Sequence, residues 1–314
     1  MVLLENVKTY AANKIDNVYM AKILKELGKM YRLTSNYTEA KTVLKKAMKI
    51  FQQIDDRLGA AQCLQSLGDI ARVQDNYSEA TEMLKNAMKQ FQQSNGRLGA
   101  AQCLRSLGDI ARVQDNYSEA TEMLKDAMIQ FQQIDDRLGA AQCLQSLGNI
   151  AYMQNNYSEA TEILKDAMTQ FQQIDDRMGA AQCLRCLGDI AHMQNNYSEA
   201  TEILNDAMAQ FQQIDNRLEA ARCLRSLGNI AYMQKNYSEA TEMLKNAMKQ
   251  FQQIDERLGS AWCLKSLGEL ASLQSNNEEA TKYLSNAAAL YQEIGFQHEM
   301  SECLKLLQGI ECSS

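Results

Sequence analysis

Apolar residues recur at helical spacing twice within each forty-residue stretch of this chain. In residues 57–96 the two sets are Ala61, Leu64, Leu67, Gly68 and Ala71, followed by Ala80, Leu84, Ala87 and Phe91. Intervals of three and four residues place each set on one face of a helix. The pattern therefore predicts two amphipathic helices per stretch.

Polar residues separate the two helices and mark their ends. The segment Gln74-Asp75-Asn76-Tyr77 lies between the apolar sets, and Glu79 follows Asn76 by three residues. This spacing predicts Asn76 as the N-cap of the second helix, in a capping-box-like arrangement with Glu79. The segment Ile54-Asp55-Asp56-Arg57 joins successive stretches, and an aspartate there is predicted to cap the next helix.

The stretch is a sequence repeat. The segment that begins at Arg57 returns with few changes at residues 97, 137, 177, 217 and 257, and residues 57–96 differ from 97–136 at six positions. A period of this size predicts a solenoid, in which each repeat buries its apolar face only against its neighbours. Seven repeats each carry one mid-helix glycine: Gly28, Gly68, Gly108, Gly148, Gly188, Gly228 and Gly268. Because such a glycine costs about 1 kcal/mol relative to alanine, we expect the two helices to approach closely there.

The same residues resemble the tetratricopeptide repeat family. The family pattern corresponds here to Leu64, Leu67, Gly68, Ala71, Tyr77, Ala80, Leu84, Ala87 and Phe91. The repeat length is similar to that of polarity adaptors and kinesin light chains, and the Leu-Gly-Asp-Ile-Ala segment is similar to the repeat tails of fungal signalling NTPases. The resemblance implies an all-α fold, a right-handed α-solenoid of about seven helix-turn-helix repeats with partial helices at both ends. It also implies a function in protein–protein interaction.

The repeats divide the chain into three parts. Residues 1–17 match the second helix of a preceding repeat through Leu4, Val7 and Ala11, and are expected to form a partial helix. Residues 18–297 are seven tandem repeats, and residues 298–314 are expected to be a C-terminal capping helix and tail, which solenoids need. A start in mid-repeat is also what a fragment of a longer protein would show.

Composition narrows the classes of function. The net charge of −7 argues against nucleic-acid binding, which depends on neutralising phosphates. No apolar run approaches the ~20 residues that span a membrane, and the N-terminus lacks a signal-peptide pattern. Seven cysteines lie one period apart, from Cys63 to Cys303. Stacked helices would hold them ~8–10 Å apart, too far for disulfides, so we expect buried thiols in a reducing, cytoplasmic compartment.

The sequence contains little that indicates catalysis or metal binding. It has no glycine-rich phosphate loop, HExxH or GxSxG motif, and its two histidines, His192 and His298, lie in distant segments. Cys183 and Cys186 lack the second cysteine pair of a zinc site. We therefore expect no enzyme activity, no cofactor and no metal.

Differences between the repeats identify candidate binding residues. The family resemblance implies that the second, fifth, ninth and twelfth family positions of each first helix line a concave groove, and these positions vary here. In residues 57–96 the fifth, ninth and twelfth positions are Gln65, Asp69 and Arg72. The candidate groove residues are Arg32, Arg72, Arg105, Asp109, Arg112, Asn149, Tyr152, Arg185, Asp189, His192, Arg225, Asn229, Tyr232, Trp262 and Lys265. The twelfth position is arginine in the first three repeats and then Tyr152, His192 and Tyr232, each followed by methionine.

The change from arginine to tyrosine or histidine at the twelfth position predicts a protein or peptide ligand with acidic and apolar segments. Arginines, which can pair with an aspartate one turn earlier (Asp69 with Arg72, Asp109 with Arg112), favour the acidic segment, and tyrosine–methionine pairs favour the apolar one. The alternative is sequence drift on a solvated face, with the methionines packed between helices. A carboxylate clamp for chaperone tails is not indicated, because the sixth position is serine or cysteine.

Two other functions stay open. Nearly identical repeats are compatible with a self-assembling or structural solenoid, whereas a capped adaptor is expected to be a monomer. The chain is also compatible with the ligand-sensing repeat tail of a larger signalling NTPase.

Overall fold

The computed structural model describes residues 2–311, with the side chains of residues 16–310. These residues form fifteen α-helices: α1 (Val2–Leu33), α2 (Tyr37–Gln53), α3 (Arg57–Val73), α4 (Tyr77–Gln93), α5 (Arg97–Val113), α6 (Tyr117–Gln133), α7 (Arg137–Met153), α8 (Tyr157–Gln173), α9 (Arg177–Met193), α10 (Tyr197–Gln213), α11 (Arg217–Met233), α12 (Tyr237–Gln253), α13 (Arg257–Leu273), α14 (Asn277–Ile294) and α15 (Gln297–Glu311). Residues 2–311 contain no strand. The predicted all-α fold of repeated helical hairpins is confirmed.

The helices belong to two compact units, Met1–Ile150 and Ala151–Ser314, whose boundary lies inside α7. We refer to them as the N-terminal unit and the C-terminal unit. Consecutive helices pack against each other from α1 to α6 and from α8 to α15, and the first helices also contact one another from α1 to α5 and from α9 to α15. The odd-numbered helices are these first helices, so groove positions of successive repeats lie side by side within a unit.

Helix α1 is one uninterrupted element from Val2 to Leu33. The expected partial helix of residues 1–17 therefore continues without a turn into the first helix of repeat 1. Left-handed turn residues recur every twenty residues from Ser35 onward, so a turn between these two segments would place Ile15 in that conformation. A β-branched residue strongly disfavours that conformation. The division at residue 18 remains a prediction, and the side chains of Leu4, Val7 and Ala11 lie outside those described.

The turns between helices share one geometry that recurs every twenty residues. Asp75, for example, has φ 58°, in the left-handed region. Its amide donates to Arg72 O and the Asn76 amide donates to Ala71 O, which together close the end of α3 in a Schellman arrangement. Aspartate or asparagine occupies most of the equivalent positions, and both tolerate a positive φ better than other non-glycine residues.

The predicted helix caps are confirmed at Asp56 and wrong in their bonding at Asn76. The carboxylate of Asp56 accepts from the Gly59 amide at 2.8 Å. Asn76 holds the N-cap position of α4, but its side chain makes no bond to the helix backbone. Its Nδ2 instead donates to the carboxylate of Glu79 at 2.6 Å. The equivalent Asn276 makes both bonds, with Nδ2 donating to Glu279 and Oδ1 accepting from the Glu279 amide.

Two glycine positions allow close helix packing. A Cβ on Gly68 would lie 2.9 Å from Leu84 Cγ, so the predicted close approach of the two helices is confirmed there. A Cβ on Gly59 would lie 2.4 Å from the Phe51 ring of the preceding repeat. The first contact closes a hairpin and the second joins successive hairpins, which is why no repeat has a core of its own.

The seven periodic cysteines are buried and free, as predicted. Cys63 and Cys103 are 0% exposed, and burial raises the pKa of each thiol to about 12. A thiol with so high a pKa stays protonated and unreactive at neutral pH. These residues therefore act as small apolar side chains of the core, and the reducing compartment remains a prediction.

Candidate functional site

First helices of the N-terminal unit line a groove with a volume of about 1190 Å³. We call it the N-terminal groove. Its wall includes positions from α1, α3 and α5: Lys29, Arg32, Gln62, Gln65, Asp69, Arg72, Gln102, Arg105 and Asp109. Four of the predicted site residues thus share one concave space. Their role in binding remains a prediction.

Serines at the sixth position of the first helices link successive repeats inside this groove. Ser106 Oγ donates to Asp69 Oδ1 at 3.1 Å, and Ser146 Oγ donates to Asp109 Oδ1 at 2.8 Å. Sequence reasoning treated these serines only as the absence of a ligand anchor. They instead hold the aspartates that were expected to neutralise the arginines.

The predicted pairing of each arginine with its own helix is therefore only partly present. Arg112 Nε lies 4.0 Å from Asp109 Oδ1, at the limit of an ion pair. Among the described residues no ion pair joins Asp69 to Arg72, since the Asp69 carboxylate accepts from the next repeat. Burial raises the pKa of Asp69, although Arg72 and the Ser106 hydrogen bond oppose this effect.

Several arginines of the N-terminal groove lack an acceptor. The Nε atoms of Arg72 and Arg105 are buried and have no hydrogen-bond partner in the described part of the chain. An unpaired buried N–H group is costly, and both arginines remain partly exposed, so an anion could bind the outer nitrogens of each guanidinium. The first helices of the N-terminal groove therefore carry more cations than carboxylates, an excess that Asp135 and Asp136 of the lining reduce.

The C-terminal unit carries aromatic residues at the corresponding positions. Tyr152 packs against Tyr157, His192 against Tyr197 and Tyr232 against Tyr237, with ring centroids 6.0, 6.0 and 6.2 Å apart. Each pair consists of the residue at the twelfth family position, near the end of a first helix, and the first residue of the second helix. Tilted rings at such distances are favourable pairs, so the three sites present similar, ordered aromatic surfaces.

These aromatic sites are uncharged at neutral pH. Burial raises the pKa of Tyr152 to about 12 and also raises the pKa of Tyr232. For His192, burial lowers the pKa, and the nearby Asp189 offsets this only in part. A neutral imidazole between two tyrosine sites keeps the surface apolar in character.

Methionines extend the aromatic surface. Met153, Met193 and Met233 are 53%, 48% and 51% exposed. Each is the last residue of α7, α9 or α11 and is more exposed than packing between helices would leave it, and drift on a solvated face remains the alternative. Exposed thioethers beside aromatic rings suit an adaptable apolar contact.

Charged residues of the C-terminal unit neutralise one another around Glu219. Its carboxylate lies 3.0 Å from Arg185 Nε and 2.7 Å from Arg222 Nη1, and Arg185 also contacts Asp189 at 2.7 Å. Sequence reasoning missed Glu219 and Arg222. The signal was present, because Glu219 stands where other repeats have glycine, at residues 59, 99, 139, 179 and 259.

The remaining predicted residues lie on α7, α11 and α13. The Arg225 guanidinium carbon lies 4.4 Å from the centroid of the Trp262 ring, a cation–π contact between repeats. Lys265 Nζ donates to Glu302 of α15 at 2.5 Å, and Ser266 Oγ donates to Asn229 at 3.4 Å. Asn149 lies on α7, in the N-terminal unit.

Other chemistry has little support in the described residues. Residues 16–310 contain no group of three or more histidine, cysteine or acidic side chains placed to hold a metal ion. Within the part of the chain described here, none of the helices combines the length and hydropathy required to cross a membrane.

Comparison with known proteins identifies the family. The sequence profile described as "Tetratricopeptide repeat" matches residues 19–93, 65–128, 99–173, 147–213, 177–253 and 219–293. The matches overlap and cover most of the chain, so the chain belongs to the tetratricopeptide repeat family. No curated protein sequence is significantly similar to it.

Solved structures share the fold at low sequence identity. Aspartyl phosphate phosphatase F from Bacillus subtilis superposes with a TM-score of 0.71 at 15% identity, over 92% of this chain and 74% of its own. The Rap conjugation gene regulator of the plasmid pLS20, in complex with the Phr* peptide, gives 0.61 at 13% identity, over 93% and 96%. A signal transduction ATPase (STAND) with a tetratricopeptide repeat sensor, from Pyrococcus horikoshii, gives 0.69 at 14% identity, over 93% of this chain and 44% of its own.

Proposed function

We propose that this tetratricopeptide repeat protein is an interaction scaffold, without catalytic activity, whose grooves bind a peptide or a helix of a partner protein. The observation that carries the proposal is the N-terminal groove, where Arg72 and Arg105 have buried nitrogen atoms without acceptors. Groups left in this state gain free energy from a ligand that supplies carboxylates. A preformed groove also requires little ordering when the ligand binds.

The two units would contact chemically different parts of a ligand. Acidic side chains suit the N-terminal groove, and apolar side chains suit the tyrosine and methionine sites of the C-terminal unit. Tyrosine and arginine are common among residues that dominate binding energy. The peptide complex of the pLS20 Rap regulator supports a peptide ligand for this repeat fold.

A peptide library tests the proposal directly. Random peptides displayed on phage would be selected on the intact chain, and enriched peptides would be measured by calorimetry. A variant with Tyr152→Ala, His192→Ala and Tyr232→Ala removes the aromatic surface and leaves the fully buried core residues unchanged, although Tyr232 itself packs against the core. We expect the variant to lose affinity for enriched apolar peptides.

The control is a variant of exposed residues on a second helix, Lys85→Ala with Lys125→Ala, which should bind like the intact chain. Circular dichroism establishes that each variant is folded. Failure to enrich any peptide, or equal losses in both variants, would contradict groove binding.

Self-assembly is a second candidate, favoured by one observation on α1. Ile23 and Met30 are 62% and 63% exposed, whereas the equivalent Cys63 and Ile70 are 0% exposed in the next repeat. A second copy of the chain could cover this face. Light scattering over a range of concentrations should then show a dimer that Ile23→Asp dissociates, and a monomer at all concentrations would exclude it.

The third candidate is a sensor segment of a larger signalling ATPase. The structural neighbour from Pyrococcus horikoshii favours it, because this chain spans 44% of that protein's length, and its name assigns the repeats a sensor role. The full reading frame around this sequence would show whether it encodes an ATPase domain beside the repeats, as this candidate requires.

A further inference from the structure

The fifth position of the first helices is a cation in α9, α11 and α13, and these cations differ in their partners. Arg185 contacts Asp189 at 2.7 Å and Glu219 at 3.0 Å. Lys265 contacts Glu302 at 2.5 Å. Arg225, between them, makes no ion pair with any described residue and lies over the Trp262 ring at 4.4 Å.

Substitutions between adjacent repeats explain why Arg225 is unpaired. Arg185 and Arg225 occupy equivalent positions, one repeat apart. The residues around Arg185 are Asp189, Glu219 and Arg222, and their equivalents around Arg225 are Asn229, Gly259 and Trp262. Both carboxylates are thereby lost, and the amide oxygen of Asn229 already accepts from Ser266. Gly259 has no side chain that could reach the guanidinium as Glu219 does one repeat earlier, and its Cβ position is bordered by Glu256 and by the Phe251 ring.

The vacant position has a defined geometry. Arg225 Nε is buried and has no hydrogen-bond partner, and burial lowers the pKa of this guanidinium. Trp262 supports the planar group by a cation–π contact, which restricts its orientation. Both side chains remain partly exposed, so a ligand can reach them.

We propose that Arg225 and Trp262 form a carboxylate-binding subsite, in which a carboxylate of the ligand takes the place that Glu219 occupies over Arg185. This inference rests on the proposed function and specifies one anchor of it. The chain contains its own example of the occupied site at Arg185. The carboxylate belongs either to an acidic side chain or to a C-terminus, and both present the same two oxygens to the guanidinium.

Trp262 is the only tryptophan of the chain, so its fluorescence reports on this subsite alone. Three probes would be titrated at constant ionic strength: N-acetylglutamine, with a free α-carboxylate; N-acetylglutamate α-amide, with a side-chain carboxylate; and N-acetylglutamine amide, with none. We expect a saturable change with at least one carboxylate probe and about tenfold weaker binding of the neutral amide, since charge-assisted bonds are about twice as strong as neutral ones. The difference between the two carboxylate probes identifies the source of the group.

Two matched variants locate the response. Gly259→Glu should fill the subsite from within and abolish the carboxylate response, whereas Gly259→Gln has the same size and should retain it. Glu219 carries a side chain at the equivalent position beside Phe211, which stays buried. At Gly259 the carboxylate of Glu256, 2.5 Å from the Cβ position, must shift to admit either side chain, so circular dichroism of both variants is compared first. Arg225→Gln removes the anchor without changing Gly259 and should also abolish the response.

The outcomes separate this inference from the proposed function. An equal fluorescence response to all three probes, no response to any, or a response that persists in Arg225→Gln would overturn the subsite. If library peptides bind the grooves while Trp262 reports no carboxylate binding, the scaffold function stands and the subsite does not. If Trp262 responds but no peptide is enriched, the carboxylate subsite stands and the proposed peptide-binding function does not.

Discussion

The two units use the same backbone to present different groove chemistry. In the N-terminal unit the twelfth position holds Arg72 and Arg112, and Arg72 has a buried nitrogen without an acceptor. In the C-terminal unit the position holds Tyr152 and Tyr232, each packed on a second tyrosine. From α2 to α13 the helices all have 17 residues, and the turns between them share one geometry. A few substitutions on one helix face are therefore enough to change what a repeat can bind.

Pairing of charges differs between the units as much as residue type does. In the N-terminal groove, Ser106 holds Asp69, and Arg72 Nε has no hydrogen-bond partner among the described residues. In the C-terminal unit, Glu219 enters between Arg185 and Arg222 and neutralises both. The first surface depends on ionic attraction and the second on apolar contact. The following predictions test that contrast.

The largest expected effect tests whether the core is the same in both units. Phe91 and Phe211 are 1% and 0% exposed. Replacing either by alanine should lower the free energy of unfolding by about 3–5 kcal/mol, because a large cavity opens between two repeats. Urea unfolding followed by circular dichroism would measure the loss. A loss below about 1 kcal/mol in one unit only would show that the two cores are not equivalent.

Salt dependence separates the two groove chemistries. Arg72→Glu with Arg112→Glu should weaken an acidic peptide selected on the chain by about 10–100-fold at low salt and by less at high salt, because ions screen the repulsion. Tyr152→Ala with Tyr232→Ala should weaken apolar peptides equally at both salt concentrations. Calorimetry at two ionic strengths measures both. Unchanged affinity of the arginine variant at low salt would refute the cationic groove.

Glu219→Gln tests the charge cluster that is specific to the C-terminal unit. The change leaves Arg185 and Arg222 without a common carboxylate, and we expect a loss of about 1–2 kcal/mol in stability. The value is below that of a fully buried pair because Arg222 is 36% exposed. The matched change in the N-terminal unit, Asp109→Asn, breaks only the 4.0 Å contact with Arg112 and should cost less. Thermal unfolding compares the two, and an equal cost would contradict the assigned difference in pairing.

The smallest expected effect is on stability, from replacing one ninth-position aspartate in each unit by asparagine. We expect the change to stabilise the protein at Asp69 and to destabilise it at Asp189. Asp69→Asn keeps an acceptor for Ser106 and removes a buried charge, so we expect a gain of less than about 1 kcal/mol at pH 7. Asp189→Asn removes the 2.7 Å ion pair with Arg185 and should cost about 1 kcal/mol. Two changes of the same sign would show that the pairing differs less than the contacts indicate.

The pH dependence of the Asp69 effect follows from its pKa, which burial raises. A carboxyl that binds its proton more tightly when folded destabilises the protein progressively as pH rises through the folded pKa. The gain from Asp69→Asn should therefore vanish as pH falls to the unfolded pKa of about 3.9. Unfolding curves between pH 4 and 7 would measure it, with Asp189→Asn as the comparison. A gain independent of pH would exclude this origin.

Local pattern predicted most of the fold because it depends on neighbours along the chain. The polar segments at Asp56 and Asn76 marked the starts of α3 and α4, and Gly68 marked the contact with Leu84. The left-handed residue Asp75 was not anticipated, because an aspartate in a turn is equally typical of a cap. The uninterrupted α1 was missed because the spacing of apolar residues is the same with or without a turn at Ile15. Only the residue type at position 15, which is β-branched, disfavours the turn.

The candidate site was predicted by position but not by partner. Comparing repeats selected Arg72, Arg105 and Arg225 as groove residues. The differences between repeats do not show which of these arginines forms an ion pair with a carboxylate. Glu219 looked like one more variation among near-identical repeats. Its importance depends on Arg185, which lies 34 residues earlier and contacts it only when two repeats stack.

By itself, the sequence determined the repeat period, the two helices per repeat, the glycine and cysteine positions in the core and the helix face on which the repeats differ. Spacing along one helix decides all of these, and it can be read from consecutive residues. Only the tertiary structure decided that Asp69 belongs to Ser106, that Glu219 neutralises Arg185, and that Arg225 lies over Trp262 without a carboxylate. Ion pairs and hydrogen bonds depend on distances of a few ångströms between side chains of different repeats, and stacking sets those distances.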